Sequence, residues 1–254
     1  MPKNNMPKKS ALNHLWESVT PNSQVFDPDR LTHLPDPVQR YLNHSIAPGT
    51  PLATAVHLRM HGQIKLNTWT PFQAEQVIAW DQGMIWSATA WMKGILPIFG
   101  ADSLVNGGGR LAWKLLGLIP VMTAEGEDIT RSIIGRMQGE SIWLPSVLAD
   151  GDRPWTVLND REIETPIHLL GETTRLRLRL SPQGKLEQIR FQRWGDPDET
   201  GYGDRLFSGV MEAETEVSGY RVPSRFSVGW GQVESNNLDE TAFFKATLDR
   251  LTYR

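Results

Sequence analysis

The sequence predicts an α+β fold in which strands dominate, arranged as one large, curved antiparallel sheet, a half-barrel, with helical segments in its concave face. Three observations predict this fold. Long segments alternate apolar and polar residues with a period of two, which is typical of strands with one buried face. Short turn sequences separate these segments, so consecutive strands are expected to be antiparallel neighbours. One central segment carries an apolar stripe with helical spacing.

The segment from Val56 to Met92 gives the clearest strand pattern. The first predicted strand runs from Val56 to Leu66 and the second from Phe72 to Trp80, each with apolar side chains at alternate positions. After a turn, Met84 to Met92 returns as a third strand. Because Trp86 and Trp91 point to opposite faces of this strand, we expect the sheet to be covered on both sides there.

The middle of the chain is less regular. Gly107-Gly108-Gly109 predicts a turn or a close backbone approach, and the spacing does not match a phosphate-binding loop. The periodicity of Leu111 to Leu118 fits a helix and a buried strand equally well.

A better helix is predicted from Asp128 to Ser141. Ile129, Ile133 and Met137 form an apolar stripe, and Glu140 continues it. Gly135 and Gly139 cost helix stability, about 0.8 to 1 kcal/mol each against alanine, but they allow another element to approach closely. Since the flanking strands need a partner for their apolar faces, we place this helix inside the concave face.

The last hundred residues are predicted to be mostly strand. Alternating arginine and leucine end at a Ser-Pro-Gln-Gly turn, after which Lys185 to Trp194 returns. Further strands are predicted from Ser208 to Val217, from Tyr220 to Trp230 and from Phe243 to Tyr253. Pro223 has no N–H, which suits an edge strand or the start of a strand.

The chain is expected to divide into an N-terminal helix and linker, residues 1–30, and a single curved-sheet domain, residues 31–254. A short helix near the start of that domain has Pro37 in its first turn and Asp36 as its predicted cap. Lys3, Lys8 and Lys9 are expected to be a frayed, solvated terminus. Polar residues interrupt the segment that follows them, so a signal peptide is not predicted and the expected location is the cytoplasm.

Composition excludes several classes of protein. The 254 residues are 39% hydrophobic with a net charge of -3, which argues against disorder and against nucleic acid as a partner. Without cysteine there are no disulfides or thiolate metal sites. No apolar run reaches the roughly 18 residues of a transmembrane segment. The sequence implies no cofactor and leaves the oligomeric state open.

Tryptophan is the most unusual component, with 10 Trp against 8 Phe and 4 Tyr. Indole rings fill cores, but they also line ligand pockets, because they combine a wide apolar surface with one hydrogen-bond donor. The predicted ligand-binding residues are accordingly four tryptophans for the wall and three charged residues as polar anchors: Trp86, Trp91, Trp143, Trp230, Arg136, Glu140 and Arg193.

Glu140 is the candidate catalytic residue. It stands four residues after Arg136 on the predicted helix, close enough to pair with it. A carboxylate on an apolar stripe is desolvated, which is how a general acid or base is tuned. A structural buried ion pair has the same pattern and is the favoured interpretation.

Two other groups of polar residues support no chemistry. His57 and His61, about 13 Å apart on one strand, cannot share a metal without a bulge, and no acidic partner is expected nearby. Arg175, Arg177 and Arg179 could bind an anion, but a charge-laced exposed face is favoured, with Glu212, Glu214 and Glu216 as their expected partners.

Short phrases from about Leu34 to the end occur in the order found in a known family: Leu34 to Leu42, Trp69 to Phe72, Ile85 to Ala88, Gly107 to Gly109, Arg136 with Glu140, Trp143 to Pro145, and Tyr253-Arg254. The chain thereby resembles an uncharacterised bacterial family known only as a domain of unknown function, similar to family 6544. The resemblance implies no reaction, cofactor or catalytic residue. The strand pattern is also similar to that of half-barrel lipoprotein carriers, which hold an acyl chain.

Three functions remain open at this point. The first is binding of an apolar or amphipathic small molecule, such as a lipid or isoprenoid, in the hollow of the sheet. The second is an enzyme of unknown reaction that uses Glu140 as acid or base. The third is a structural or interaction protein whose core is filled.

Overall fold

The computed structural model describes residues 8–233, Leu238 and residues 241–254, so Lys3 and its neighbours lie outside the described residues. The helices there are α1 (Lys8–Ser18), α2 (Asp36–Ser45) and α3 (Glu127–Glu140), with short 3₁₀ turns at Pro28–Leu31, Ser141–Trp143 and Pro145–Leu148. The strands are β1 (Ala55–Lys65), β2 (Trp69–Ala79), β3 (Gly83–Met92), β4 (Leu96–Val105), β5 (Gly108–Leu115), β6 (Ile119–Glu125), β7 (Thr156–Asn159), β8 (Glu162–Leu169), β9 (Glu172–Leu180), β10 (Leu186–Gly195), β11 (Gly203–Val217), β12 (Tyr220–Trp230) and β13 (Ala242–Tyr253).

All of these strands form one antiparallel sheet, in the order β6-β5-β4-β3-β2-β1-β13-β12-β11-β10-β9-β8-β7. The chain starts in the middle of the sheet and builds outward to β6. It then crosses to the opposite edge through α3 and builds back inward from β7 to β13. The two halves meet where β1 pairs with β13, with Val56 opposite Tyr253. The predicted large antiparallel sheet is confirmed.

The sheet curves around α3. This helix contacts β4, β5 and β6 near one edge and β8, β9 and β10 near the other, which requires both ends of the sheet to curl toward it. The glycines of α3 permit the close packing that the sequence predicts. A Cβ on Gly139 would lie 2.5 Å from the Phe191 ring, and one on Gly135 would lie 3.1 Å from Arg193 Cγ. The placement of this helix in the concave face is therefore confirmed.

A second layer covers part of the convex face. Leu12, Leu15 and Val19 in and just after α1 pack on outward-facing residues of the first strands, among them Val77 and Ile85. The expectation that the hairpin β2–β3 is covered on both faces is correct.

Several strands have no signal in the sequence. β6 and β7 are edge strands that are exposed along nearly their whole length, so their residues do not alternate. In β4 the pattern is broken by Pro97 and Gly100. The ambiguous segment after Gly107 is strand β5, followed by a turn, and is not a helix.

Two local predictions concern proline-containing segments, and the first of them is wrong. Pro35 occupies the N-cap position of α2. Asp36 is therefore the first helical residue and not the cap, and the helix has no capping hydrogen bond from a side chain. Pro223 lies near the start of β12, before the ladder with β13 begins at Arg225, and pairs only with Glu214 of β11. Its missing N–H therefore interrupts no ladder with β13, as the sequence predicts for a strand start.

The charge-laced face is present, but with other partners than predicted. Arg175 and Arg177 pair with Glu164 on β8, because β9 neighbours β8 and β10 and never reaches β11. The glutamates of β11 pair with residues of β12 and α2: Glu212 with Arg225, Glu214 with His44 and Glu216 with Arg221.

None of the helices in residues 8–233 and 241–254 has the length and apolar character of a membrane span.

Candidate functional site

A cavity of about 260 Å³ lies between α3 and the concave face of the sheet and is partly open to solvent. Aromatic and aliphatic side chains form most of its wall, among them Met60, Phe191, Phe207, Met211, Phe226 and Phe244. Its polar groups are Gln76, Asp102, Arg136, Glu140 and Arg193. An apolar wall with a few polar groups is typical of small-molecule sites, and the volume is just below the lower end of their usual range.

Arg136 is the centre of a largely buried polar cluster. Its Nε donates to Glu140 Oε1 at 2.7 Å and its Nη1 donates to Asp102 Oδ2 at 3.1 Å. Gln76 Nε2 donates to the second oxygen of Glu140 at 2.6 Å. The helical spacing of four residues brings Arg136 and Glu140 together, whereas Asp102 and Gln76 come from β4 and β2 across the curved sheet. Both oxygens of Glu140 are therefore occupied.

Gly100 explains how β4 and β5 orient Asp102. A Cβ on Gly100 would lie 1.8 Å from the ring of Trp113, its cross-strand partner. Without that atom, the indole lies flat over the glycine and its Nε1 donates to Asp102 Oδ1 at 3.0 Å. Asp102 thus receives one hydrogen bond on each oxygen, from Trp113 and from Arg136.

The two arginines of the cavity have different electrostatic surroundings. Burial alone would lower the pKa of Arg136, but Glu140 and Asp102 outweigh it, so the pKa is raised. Burial lowers the pKa of Arg193 to about 10, and the positive charge of Arg136 acts in the same direction, against the weaker opposing effects of Glu140 and Asp102. Burial also raises the pKa of Asp102, against the opposing effects of Arg136 and the Trp113 hydrogen bond.

Arg193 is held by aromatic rings. Its guanidinium carbon lies 4.9 Å from the ring centroid of Phe207 and 5.1 Å from that of Trp230. Its Nε donates to the Ser132 carbonyl of α3 at 3.3 Å. These contacts fix the side chain between α3 and the sheet.

Six of the seven predicted ligand-binding residues lie on the wall of this one cavity: Trp86, Trp143, Trp230, Arg136, Glu140 and Arg193. Trp91 does not. It is an odd number of residues from Trp86 on β3, so the pleat directs it to the opposite face of the sheet. Trp143 is anchored by Nε1, which donates to the Pro223 carbonyl at 3.0 Å, and its ring contacts Phe226.

Asp102 and Gln76 are site residues that the sequence did not reveal. Gln76 had a usable signal, because it occupies an apolar-face position in the alternating second strand. For Asp102 the signal was weaker: it is the single acidic residue between Trp91 and Ala124. Its distance to α3 depends on the curvature of the sheet, which periodicity does not encode.

The histidines of β1 do have acidic partners, contrary to the prediction, but each has its own. His57 Nε2 lies 2.9 Å from Glu75 Oε1, and His61 Nδ1 lies 2.8 Å from Asp249 Oδ1. No group of residues suited to hold a metal ion occurs in the described part of the chain.

A second depression of about 460 Å³ lies outside the concave face, between the linker near Asp27 and the segment near Ser146. It is larger than the inner cavity, but polar surface makes up more than half of its wall. We favour the inner cavity as the candidate site because its apolar wall is enclosed by the fold.

The raised pKa of Asp102 predicts a pH-dependent stability. In the folded protein Asp102 binds its proton more tightly than at its ordinary value of 3.8, so the unfolding free energy falls as pH rises from there through the folded pKa. The isosteric variant Asp102→Asn lacks this contribution. The unfolding free energy of wild type minus that of the variant should therefore decrease with pH in denaturant titrations, and a flat or rising difference would contradict the pKa direction.

Comparison with known proteins gives one family. The model of a family of unknown function, DUF6920, matches residues 32–253. No curated protein matches the chain.

Two solved structures resemble the fold at low identity. A LolA superfamily protein from Nitrosomonas europaea is 10% identical, with a TM-score of 0.43, covering 86% of this chain and 92% of its own. A putative outer membrane lipoprotein-sorting protein domain from Vibrio parahaemolyticus is 7% identical, with a TM-score of 0.41, covering 79% and 85%. The resemblance to a family of unknown function that the sequence predicts is confirmed, although the family that matches is DUF6920 and not family 6544. The chain belongs to the family of unknown function DUF6920.

Proposed function

We propose that the protein binds an apolar or amphipathic small molecule, such as a lipid or an isoprenoid, in its inner cavity, and that it does so in the cytoplasm. The observation that carries this proposal is the apolar cavity itself. Close-packed interiors contain few voids larger than a water molecule. Here about 260 Å³ is open between α3 and the sheet, although larger side chains at the same positions could fill it.

The wall is suited to a flexible apolar ligand. Met60 and Met211 supply adaptable thioethers, and the aromatic rings supply wide rigid surfaces. The few polar groups lie together on one side of the wall, near α3, where they could orient the polar end of an amphipathic ligand.

A cavity-filling variant tests this proposal. Met211→Trp adds bulk on the inner face of β11, so we expect dodecanoate binding to weaken at least about tenfold, as followed by native mass spectrometry. Val210→Trp places the same ring on the opposite face of β11 and should leave the affinity unchanged. If the isolated wild-type protein yields no ligand in an organic extract and binds no lipid or isoprenoid, the binding proposal fails and a structural role replaces it.

The second candidate function is an enzyme that uses Glu140 as general acid or base. It is favoured by the position of this carboxylate at the wall of an apolar cavity, 9% exposed. Against it stands the occupation of both oxygens by Arg136 and Gln76.

Glu140→Gln distinguishes the two roles. Since Arg136 keeps Asp102 as partner, we expect a folded variant that loses about 1 to 3 kcal/mol of stability and retains ligand binding. A catalytic Glu140 would instead leave stability nearly unchanged and lower turnover of the bound molecule about 10²-fold or more. Thermal unfolding and analysis of the extracted ligand for conversion measure both outcomes.

A further inference from the structure

The charges of the cavity are paired unequally. Arg136 contacts both carboxylates, Asp102 and Glu140, within hydrogen-bond distance. Arg193 contacts neither, and among the described residues it forms no ion pair. Its one hydrogen bond runs from Nε to the Ser132 carbonyl, so its two terminal nitrogens have no hydrogen-bond partner in that part of the chain. The cavity thus contains one neutralised arginine and one whose donors remain available.

The fold holds Arg193 in place instead of leaving it mobile. The rings of Phe207 and Trp230 lie against the guanidinium, and its stem passes over Gly135, where a Cβ would come within 3.1 Å of Arg193 Cγ. With a pKa of about 10 the side chain is still protonated at neutral pH. Glu140 and Asp102 favour its charged form without contacting it, and burial outweighs them, so an anion in direct contact would remove the remaining cost of desolvation.

We propose that Arg193 binds the oxyanion head of an amphipathic ligand, a carboxylate or a phosphate monoester, whose chain lies along Met211, Phe226 and Phe244. This inference rests on the proposed function and specifies its ligand class. The planar guanidinium presents paired N–H donors that match the oxygens of a carboxylate or phosphate. Arg136 cannot take this role, because its charge is already matched by Asp102 and Glu140.

The test compares ligands that share one chain and differ in the head. Dodecanoate and dodecyl phosphate carry an oxyanion, whereas methyl dodecanoate and dodecanol do not. We expect wild type to bind at least one of the anions about tenfold or more tightly than both neutral ligands, since hydrogen bonds to charged groups are the stronger class. The ratio between the two anions identifies which head the site takes.

Two variants test whether Arg193 is the source of the preference for anionic ligands. Arg193→Met should bind the anionic and neutral ligands equally. Arg190→Met is the matched control, because Arg190 lies three residues earlier on β10 and on the opposite face of the sheet. It should keep the preference.

The four ligands test head-group recognition by Arg193 separately from binding in the cavity. Equal binding of anionic and neutral ligands to wild type, or a preference that survives in Arg193→Met, overturns the head-group assignment and leaves cavity binding intact. Binding of none of the four ligands overturns both. The wild-type comparison decides the matter even if Arg193→Met does not fold.

One end of the sheet exposes apolar side chains on its hairpin turns. Three neighbouring hairpin turns, 66–68, 93–95 and 116–118, lie at the same end of the sheet, and we refer to them as the apolar tips. Ile95 and Leu118 are 78% and 80% exposed, the highest values among the large exposed hydrophobic residues, and Leu66 is 49% exposed. Because these exposed apolar side chains are grouped at one end of the sheet and not scattered singly, they mark an interaction surface.

The charge around the apolar tips points to one kind of partner. Each tip carries an exposed lysine, Lys65, Lys93 or Lys114, and residues 62–74, 91–101 and 103–124 contain no Asp or Glu. Apolar side chains ringed by lysine suit an anionic lipid surface, where the lysine stems lie along apolar groups and the ammonium groups meet the phosphates. Ile64 of the cavity wall lies two residues before Leu66, so the tips border the proposed ligand site.

We infer that the apolar tips dock the protein on an anionic lipid bilayer. Pairing with a second copy through the edge strand β6 is disfavoured by Pro120, which lacks the N–H that a new ladder needs. The full chain should co-sediment with vesicles of phosphatidylcholine and phosphatidylglycerol and much less with phosphatidylcholine alone.

Two double variants and a control test the docking surface. Ile95→Ser with Leu118→Ser, and Lys93→Glu with Lys114→Glu, should each lower vesicle binding at least about tenfold, since roughly 1 kcal/mol per lysine is at stake together with the apolar contact. Leu158→Ser changes an exposed leucine on β7, the opposite edge, and should have no effect. A wild-type protein that stays in the supernatant overturns the inference. A wild-type dimer that the serine variant converts to monomer assigns the tips to a second copy instead.

Discussion

Arg136→Met is expected to lower the free energy of unfolding by about 3 to 5 kcal/mol, because it leaves two largely buried carboxylates without the cation that contacts both. Asp102 and Glu140 would then face each other across the cavity wall, both desolvated. Their repulsion requires ionisation, so the loss should be smaller at acid pH and grow as pH rises. Urea unfolding at several pH values measures both effects.

Two controls make this expectation specific. Arg131→Met removes a partly exposed ion pair with Glu172 from the same helix and should cost about 1 kcal/mol or less. A triple variant, Arg136→Met with Asp102→Asn and Glu140→Gln, removes all three charges and should recover most of the lost stability. A single variant as stable as wild type, or a triple variant as unstable as the single one, would show that the cluster is not a charge-compensated unit.

Trp86→Ala should lower the free energy of unfolding by a similar amount, about 3 to 5 kcal/mol, as expected for truncation of a buried aromatic side chain. Trp86 is 2% exposed and contacts Phe72, Trp113 and Phe244, whose ring centroids lie between 5.6 and 6.1 Å away. Arg136 also lies over its ring at 5.0 Å. The variant therefore removes a contact shared by the core, the polar cluster and the cavity wall.

Trp91→Ala is the matched control for this second prediction. It removes the same side chain from the same strand, but on the convex face and at a partly exposed position. We expect the free energy of unfolding of this variant, measured by denaturant titration alongside Trp86→Ala, to fall by about 1 kcal/mol or less. Equal losses in the two variants would mean that the inner face of β3 has no special packing role.

The sequence analysis finds most elements of this fold that have one buried face, although it misses β8, whose buried residues also alternate. The bounds predicted for β12, Tyr220 to Trp230, are those observed, and α3 differs by one residue at each end. In both cases an apolar stripe distinguishes the inner side. The edge strands β6 and β7 have no buried side, so no pattern could reveal them.

The candidate site is predictable only where it is local. The pairing of Arg136 with Glu140 follows from helical spacing, and the structure shows it at 2.7 Å. Asp102 joins them from β4 because the sheet curls, and curvature is a property of the assembled strands. Trp91 is a different case, because its position could have been predicted. It is an odd number of residues from Trp86 on β3 and so lies on the other face, and tryptophan content alone was not a sufficient reason to include it among the ligand-binding residues.

The order of the strands determines when each one can be completed during synthesis. Of the thirteen strands of this sheet, β1 leaves the ribosome first and pairs with β2 at once, but its other side must wait for β13, the last of them. Until then β1 presents an open row of backbone donors and acceptors, the kind of edge that recruits other chains. Closing a contact as distant as Val56 with Tyr253 is slow. The nascent chain is therefore most vulnerable to misassembly at the centre of the finished sheet, where the native protein is best protected.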